Sequence, residues 1–399
     1  MKKGKVFVFI GIIVCCFVAL VVFIPADGPD FLVRCHNQVW FSLFGKTCSP
    51  DIFKGKNGEL FLKANLDEIT GKMLENNFSC VEEAQKHAQH NVESTLALVD
   101  SLHRRGKTFL FIFAPTKTAV YPEWMPRNYR EHIADFSLEE YYIQLFKENH
   151  IPHIDFYHYF QTYKDESPYP LYTPMGSHWA QHTMPMVADS IFRYLEALTG
   201  NPYPTVVRAD NSLSTQYTVH DIELEEPLKL LFPLKRPALP EGFGILNDTV
   251  DGNERPKLLV VGDGNFTQLK LSCFKQAFSE WDFWVYNKYY QASRPNSDWG
   301  ELEYYPHRYE VLDGADIVMV VVSAPYLYKY MFGFEQTAYQ LWAQGPVDNE
   351  KAIELKIEEI KSVKEWYDAI VNQAEELGIT VEDNLRRNAK YILDQQQQK

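Results

Sequence analysis

Two short segments hold residue types that could do acyl-transfer or hydrolytic chemistry. Lys257 to Val261 (KLLVV) is a short apolar run and reads as a buried strand. It ends in Gly262-Asp263-Gly264-Asn265. In open α/β sheets the functional crevice lies at the carboxyl ends of the strands. A tight turn there can present a nucleophile and aim backbone N–H groups at an oxyanion. A Gly-Asp turn taken alone is equally an ordinary connection. The second segment is Met175-Gly176-Ser177-His178-Trp179. A histidine just ahead of a helix is a candidate general base, whereas a lone histidine is more often a plain core or surface residue. The two segments inform together, because both sit at the ends of predicted elements.

The elements that must position them alternate along the chain. Gly55 to Leu62 reads as a turn feeding a short strand, and Glu82 to Arg105 as a helix stopped by Gly106. Phe109 to Ala114 (FLFIFA) is a buried strand, Leu138 to Glu148 a helix, and Ile151 to Phe156 the next strand. Trp179 to Leu198 reads as a helix, Phe283 to Tyr286 as a short strand, and Ala315 to Ser323 as the last strong strand. Strands alternating with helices predict a mostly parallel sheet flanked by helices. Beyond Asp348 the chain is helical and charged. Ile353, Ile357, Ile360, Val363, Trp366 and Ile370 form a stripe that packs on the main domain or on a partner.

The 399 residues suffice for one large α/β domain or two. Aromatic residues make up 15%, which fits a large core or a groove with flat platforms for a sugar. The net charge of −14 argues against nucleic acid as a partner. Lys2, Lys3 and Lys5 precede an uncharged apolar run from Val6 to Ile24. That run is about 19 residues, long enough to span a bilayer core. The lysines place the N-terminus in the cytoplasm and the rest outside, and no A-x-A cleavage site follows. The expected organisation is a transmembrane signal anchor over 1–25, a juxtamembrane segment over 26–50, a main domain over 51–345 and a helical extension over 346–399. Export permits disulfides, and Cys35 with Cys48 is the candidate pair.

Several segments resemble the AlgX/AlgJ group of alginate O-acetyltransferases. Gly55 to Leu62 looks like that family's early G-x-x-G-x-L-F strand. Phe111 to Pro126 (FIFAPTKTAVYPEWMP) is similar to its Tyr-Pro segment, and Met175 to Trp179 to its D-x-H-W motif. Leu259 to Phe266 looks like its G-D-S-F block, and Ala315 to Phe334 like its late strand and loop. The resemblance spans roughly 51 to 335. It implies an SGNH hydrolase-like α/β fold, a bacterial inner-membrane and periplasmic setting, an exported polysaccharide as substrate and a membrane-bound O-acyltransferase as partner.

The family's chemistry uses a Ser, a His and an Asp. Carried over residue by residue, His178 keeps the base, Gly176 stands at the Asp position and Gly264 at the Ser position. Three substitutes come into question: Thr267 or Ser177 as nucleophile, and Asp155, at a strand end, as the orienting acid. Gly262, Asp263, Gly264 and Asn265 would form the oxyanion turn, with Asp263 as a helix cap. Three functions remain open: acyl transfer or hydrolysis on an exported polysaccharide, a catalytically inactive member that binds polysaccharide or the acyltransferase, or a general cell-envelope adaptor with no sugar role. No cofactor or metal is expected. His87-x-x-His90 lacks further ligands, and His150, His153 and His158 fit no zinc spacing.

Overall fold

The computed structural model describes residues 28–208, 212–240, 244–247, 255–294, 299–345 and 349–397. The anchor expected over Val6 to Ile24 lies outside the described residues. No helix among them is long and apolar enough to cross a membrane.

The centre is a seven-stranded sheet: β1 (Thr108–Ala114), β2 (His153–Asp155), β3 (Lys257–Gly262), β4 (Glu280–Val285), β5 (Tyr289–Ala292), β6 (Gly300–Glu301) and β7 (Ile317–Ser323). In space the order is β6-β5-β4-β3-β7-β1-β2. From β4 to β2 all neighbours run parallel, while β5 and β6 return antiparallel at one edge. The sheet is therefore mixed, with the expected parallel core. The antiparallel edge follows from the short connection over 286–288, which permits a hairpin but no crossover.

Alternate residues of the central strands feed two cores. Phe109, Phe111 and Phe113 join Val318, Val320, Val322, Leu259 and Val261 on one face. Leu110, Ile112 and Ala114 join Ile317, Met319, Val321, Leu258 and Val260 on the other. Continuous apolar strands of this kind need helices on both faces. Val81–Arg104, Leu138–Glu148, Arg308–Gly314 and Phe334–Gln344 cover the first. Phe156–Tyr163, Met184–Thr199 and Asn265–Leu271 cover the second. Helix Val81–Arg104 carries Glu82 and Glu83 in its first turn and His103 and Arg104 in its last, as the helix dipole favours. Gly106 beyond it takes a φ of 71°.

Several expectations shift. The helix predicted from Trp179 starts at Met184, after a tight turn over Gln181–Thr183. Pro185 suits the first helical turn, where a missing N–H costs nothing. The strand predicted over Ile151 to Phe156 shortens to His153–Asp155, because the Asp155 carboxylate caps the next helix by accepting from His158 N at 3.0 Å. The segment expected as juxtamembrane contains helix Asp30–Phe44, whose Phe41 packs with Ile52, Leu60 and Leu228. The disulfide expected between Cys35 and Cys48 is absent, and both are free thiols. Cys35 is buried, while the Cys48 thiol turns to the Leu228 carbonyl at 3.1 Å.

The C-terminal stripe does not run along one helix. The chain turns at Val363 between helices Asn349–Ser362 and Lys364–Leu377, and a third follows over Val381–Gln397. Ile353, Ile360, Ile370, Leu385, Ala389 and Leu393 form a small core among the three. The stripe is thus satisfied mostly within its own bundle.

Candidate active site

The site forms where β3 and β7 end. Gly262 closes β3, and a Cβ there would lie 2.3 Å from the Val321 carbonyl, so this close approach of two strands requires glycine. Asp263 follows, fully buried. One carboxylate oxygen accepts from the Ser323 amide and hydroxyl, both at 2.7 Å. The other accepts from the Asn265 backbone and side-chain amides, both at 2.9 Å. Asp263 thus joins β7 to the turn and holds the first amide of helix Asn265–Leu271, whose N-cap is Gly264 rather than the expected Asp263.

The loop bearing His178 reaches the same place. The Trp179 indole is buried among Phe156 and Phe160, and its Nε1 donates to the Asn265 carbonyl at 2.9 Å. This bond joins the histidine-tryptophan loop directly to the Gly-Asp turn. An ideal Cβ built on Gly264 would sit 2.7 Å from His178 Nε2. The imidazole therefore faces the position where a nucleophile's side chain would begin.

The acid that orients His178 is Glu223. Its two oxygens lie 2.7 and 2.9 Å from His178 Nδ1. A carboxylate only accepts, so Nδ1 carries the proton and Nε2 offers its lone pair. One Glu223 oxygen also accepts from the Ser177 amide at 2.9 Å and the Ser177 hydroxyl at 2.7 Å. Burial raises the Glu223 carboxyl, but the bonds from His178 and Ser177 and the His178 charge outweigh it and hold it at about 2. Burial lowers His178, yet the hydrogen bond and charge of Glu223, with the Asp263 charge, bring it above the ordinary histidine range.

Glu223 is itself held in place. Asp221, two residues earlier, forms a capping box with Thr218 and accepts from the Gln181 amide at 3.0 Å and from Gln268 Nε2 at 3.1 Å. One carboxylate thus links the acid's turn, the histidine loop and the helix after Gly264. Below them the buried Lys117 donates to the carbonyls of Leu60 (3.0 Å), Thr173 (2.8 Å), Pro174 (3.1 Å) and Gly176 (3.4 Å), and pairs with Glu59 at 2.9 Å.

The structure brings His178, Ser177 and the 262–265 turn together. It places the other sequence candidates as follows. At Gly176 a Cβ would meet Thr173 Oγ1 at 2.8 Å, so an aspartate has no room there. Asp155 bonds to His158 Nδ1 at 2.8 Å and Lys147 at 3.1 Å, and it makes no hydrogen bond to His178. The Ser177 hydroxyl is directed at Glu223, away from Nε2. Thr267 lies within the helix, its amide bonded to the Gly264 carbonyl at 3.0 Å, without a hydrogen bond to His178. Among the described residues no group of three or more His, Cys, Asp or Glu could hold a metal ion.

Beside the turn opens a cleft of about 620 Å³, lined by Tyr286, Lys288, Tyr326, Lys329 and Phe332. The Tyr286 hydroxyl lies against the Gly264 backbone, and the Tyr286 and Tyr326 rings are 5.3 Å apart. A histidine polarised by a carboxylate is an arrangement that can activate a hydroxyl group or water.

Residues 54–217 match the family model described as SGNH hydrolase-like domain, acetyltransferase AlgX. The match contains Lys117 and His178 and ends before Glu223 and Gly264. No curated protein matches the chain. Among solved structures, the O-acetyltransferase domain of Pseudomonas putida AlgJ is 15% identical with a TM-score of 0.44, covering 72% of this chain and 100% of that one. Pseudomonas aeruginosa AlgX is 13% identical with a TM-score of 0.44, covering 77% and 70%. Bacillus cereus PatB1 is 13% identical with a TM-score of 0.40, covering 62% and 92%. The region from 54 to 217 thus matches the AlgX-type, SGNH hydrolase-like acetyltransferase domain that the motifs implied.

Proposed function

We propose that this chain is a membrane-anchored, extracytoplasmic protein of polysaccharide O-acylation, with His178 as general base and Glu223 as its orienting acid. One observation carries the reading: Nε2 of a histidine fixed by Glu223 faces position 264, where the related chemistry needs its nucleophile. The apolar run from Val6 to Ile24 supports an inner-membrane anchor, with the folded part periplasmic. The acceptor is an exported polysaccharide, and acyl groups arrive through a membrane-bound O-acyltransferase. Both proposals follow the family resemblance.

The absence of a side chain at Gly264 favours a second reading, in which the fold binds polysaccharide or the acyltransferase and performs no chemistry. An esterase assay separates the two. The full-length protein in detergent should release p-nitrophenol from p-nitrophenyl acetate, and His178→Ala should slow this by about 10²- to 10⁴-fold. Turnover unchanged by the substitution would contradict the catalytic reading. Retention on immobilised acidic or neutral exopolysaccharide, without esterase activity, would then favour the binding one.

A further inference from the structure

Exposed apolar residues gather on the first described helix. Phe31, Leu43 and Phe44 of helix Asp30–Phe44 are 61%, 64% and 54% exposed. Phe232 is 64% exposed and lies beside the same helix, since its amide donates to Gln38 Oε1 at 3.1 Å. The helix holds this neighbouring loop at further points. Arg34 Nη1 donates to the Leu230 carbonyl at 3.2 Å, and Asn37 Nδ2 to the Leu228 carbonyl at 3.1 Å. Phe31, Arg34 and Gln38 follow one another at three- and four-residue steps, so Phe31 and the Phe232 loop share one side of the helix.

That loop is basic in an acidic protein. After Glu226, the stretch Pro227 to Pro240 (PLKLLFPLKRPALP) contains Lys229, Lys235 and Arg236 and no acid, while the whole chain carries −14. Lys229 and Lys235 are exposed. Two bordering acids are already engaged: Asp30 pairs with Arg34 at 2.7 Å, and Glu225 with Arg236 at 2.8 Å. Exposed rings flanked by lysines suit the boundary of a bilayer, where the rings enter the acyl region and the ammonium groups meet phosphates. The chain also brings this face close to a bilayer. Only the five residues from Pro25 to Pro29 separate the apolar run ending at Ile24 from Asp30. Fully extended, that connection reaches about 20 Å.

We infer that this face, with Phe31, Phe232, Lys229 and Lys235, rests on the anionic lipid surface of the membrane that holds the Val6 to Ile24 span. The inference rests on the membrane-anchored reading above. The face also borders the candidate site. Phe41 of the same helix packs in one core with Leu224 and Met175, which flank Glu223 and the Gly176-Ser177-His178 loop in sequence. A docked helix therefore holds the loops of the base and its acid near the membrane, where acyl groups arrive in that reading.

The test reconstitutes the full-length protein in phosphatidylcholine liposomes, with and without phosphatidylglycerol. The photoreactive residue p-benzoylphenylalanine replaces Phe232 or, on the C-terminal bundle, Tyr391. Both side chains are more than 60% exposed, so the probe leaves the packing intact. Phe31 is too near the span in sequence to discriminate, and Phe232 therefore decides. The expected result is a lipid adduct at position 232, stronger with phosphatidylglycerol present, and none at position 391. Lys229→Gln combined with Lys235→Gln should lower the yield at position 232 at least about fivefold in the anionic liposomes. No lipid adduct at position 232, a crosslink there to a second copy of the chain, equal adducts at both positions, or equal yields in both liposomes overturns the inference. A chain that resists alkaline carbonate extraction but gives no adduct at position 232 keeps the anchored reading while this inference falls. A chain that carbonate extracts removes both.

Discussion

His178 must lose a proton before it can accept one from a hydroxyl. Burial alone would favour the neutral ring, but Glu223 and Asp263 raise its pKa above the ordinary 6.5. Turnover should therefore rise with pH and level off, with a midpoint above 6.5. Glu223→Gln removes the charge that raises it, so the midpoint should move down. The plateau should fall by about 10²-fold as the ring loses its fixed tautomer. A pH–rate profile of both proteins checks this. The same pair links stability to pH. The His178 contribution is complete below 6.5 and is lost as pH rises through its raised value. The Glu223 contribution is complete above its ordinary 4.5 and is lost as pH falls towards about 2. His178 was legible in the sequence because a His-Trp pair preceding a helix is distinctive. Glu223 was not. It lies 45 residues further on, in the alternating run Asp221-Ile222-Glu223-Leu224-Glu225, where nothing distinguishes one acid from the next.

At the scale of elements, the site depends on loops fastened by few groups. Lys117 is the main fastening, since its ammonium gathers the carbonyls of the Thr173 to Gly176 stretch and of Leu60. Burial lowers its pKa, and Glu59 opposes the shift. Lys117→Met takes the ammonium away from those carbonyls and leaves the carboxylate of Glu59 without its counter-charge inside the fold. The expected cost is about 3–5 kcal/mol, read by urea denaturation, with slower turnover as the histidine loop loosens. Trp179→Phe keeps most of the buried ring but loses the bond to the Asn265 carbonyl, at about 0.5–1.5 kcal/mol for one hydrogen bond. Its turnover should fall more than its stability, since that bond sets the distance between His178 and Gly264. The strands were legible because β1, β3 and β7 are apolar on both faces and short. The start of the helix at Met184 was not, because the apolar Trp179 and Ala180 continue the helical pattern while packing into the core ahead of it.

Across the whole molecule, one feature outside the site governs behaviour in alkali. Glu139 is 1% exposed, and neither carboxylate oxygen has a hydrogen-bond partner among the described residues. Burial first, then the charge of Glu68, pushes its pKa well above 4.5, and burial lifts Glu68 to about 8. Acids raised in this way stabilise the fold below 4.5, and that contribution is lost as pH rises through their folded values. The melting temperature should fall between pH 5 and pH 9, and Glu139→Gln should lessen the fall, as thermal scans at both pH values would show. The parallel core and the helical tail were legible from periodicity. The packing of that tail into its own bundle was not, because an apolar stripe does not name the surface that covers it. The free thiols of Cys35 and Cys48 were equally hidden, since sequence separation says nothing of where two thiols point.

Base catalysis by His178 depends on one nitrogen atom, Nε2. Nuclear magnetic resonance of the protein labelled with ¹⁵N-histidine reads it directly. Neutral His178 should carry its proton on Nδ1, bonded to Glu223, with Nε2 unprotonated and this preference lost in Glu223→Gln. A neutral ring protonated on Nε2 would contradict it, because that nitrogen could then accept no proton from any hydroxyl.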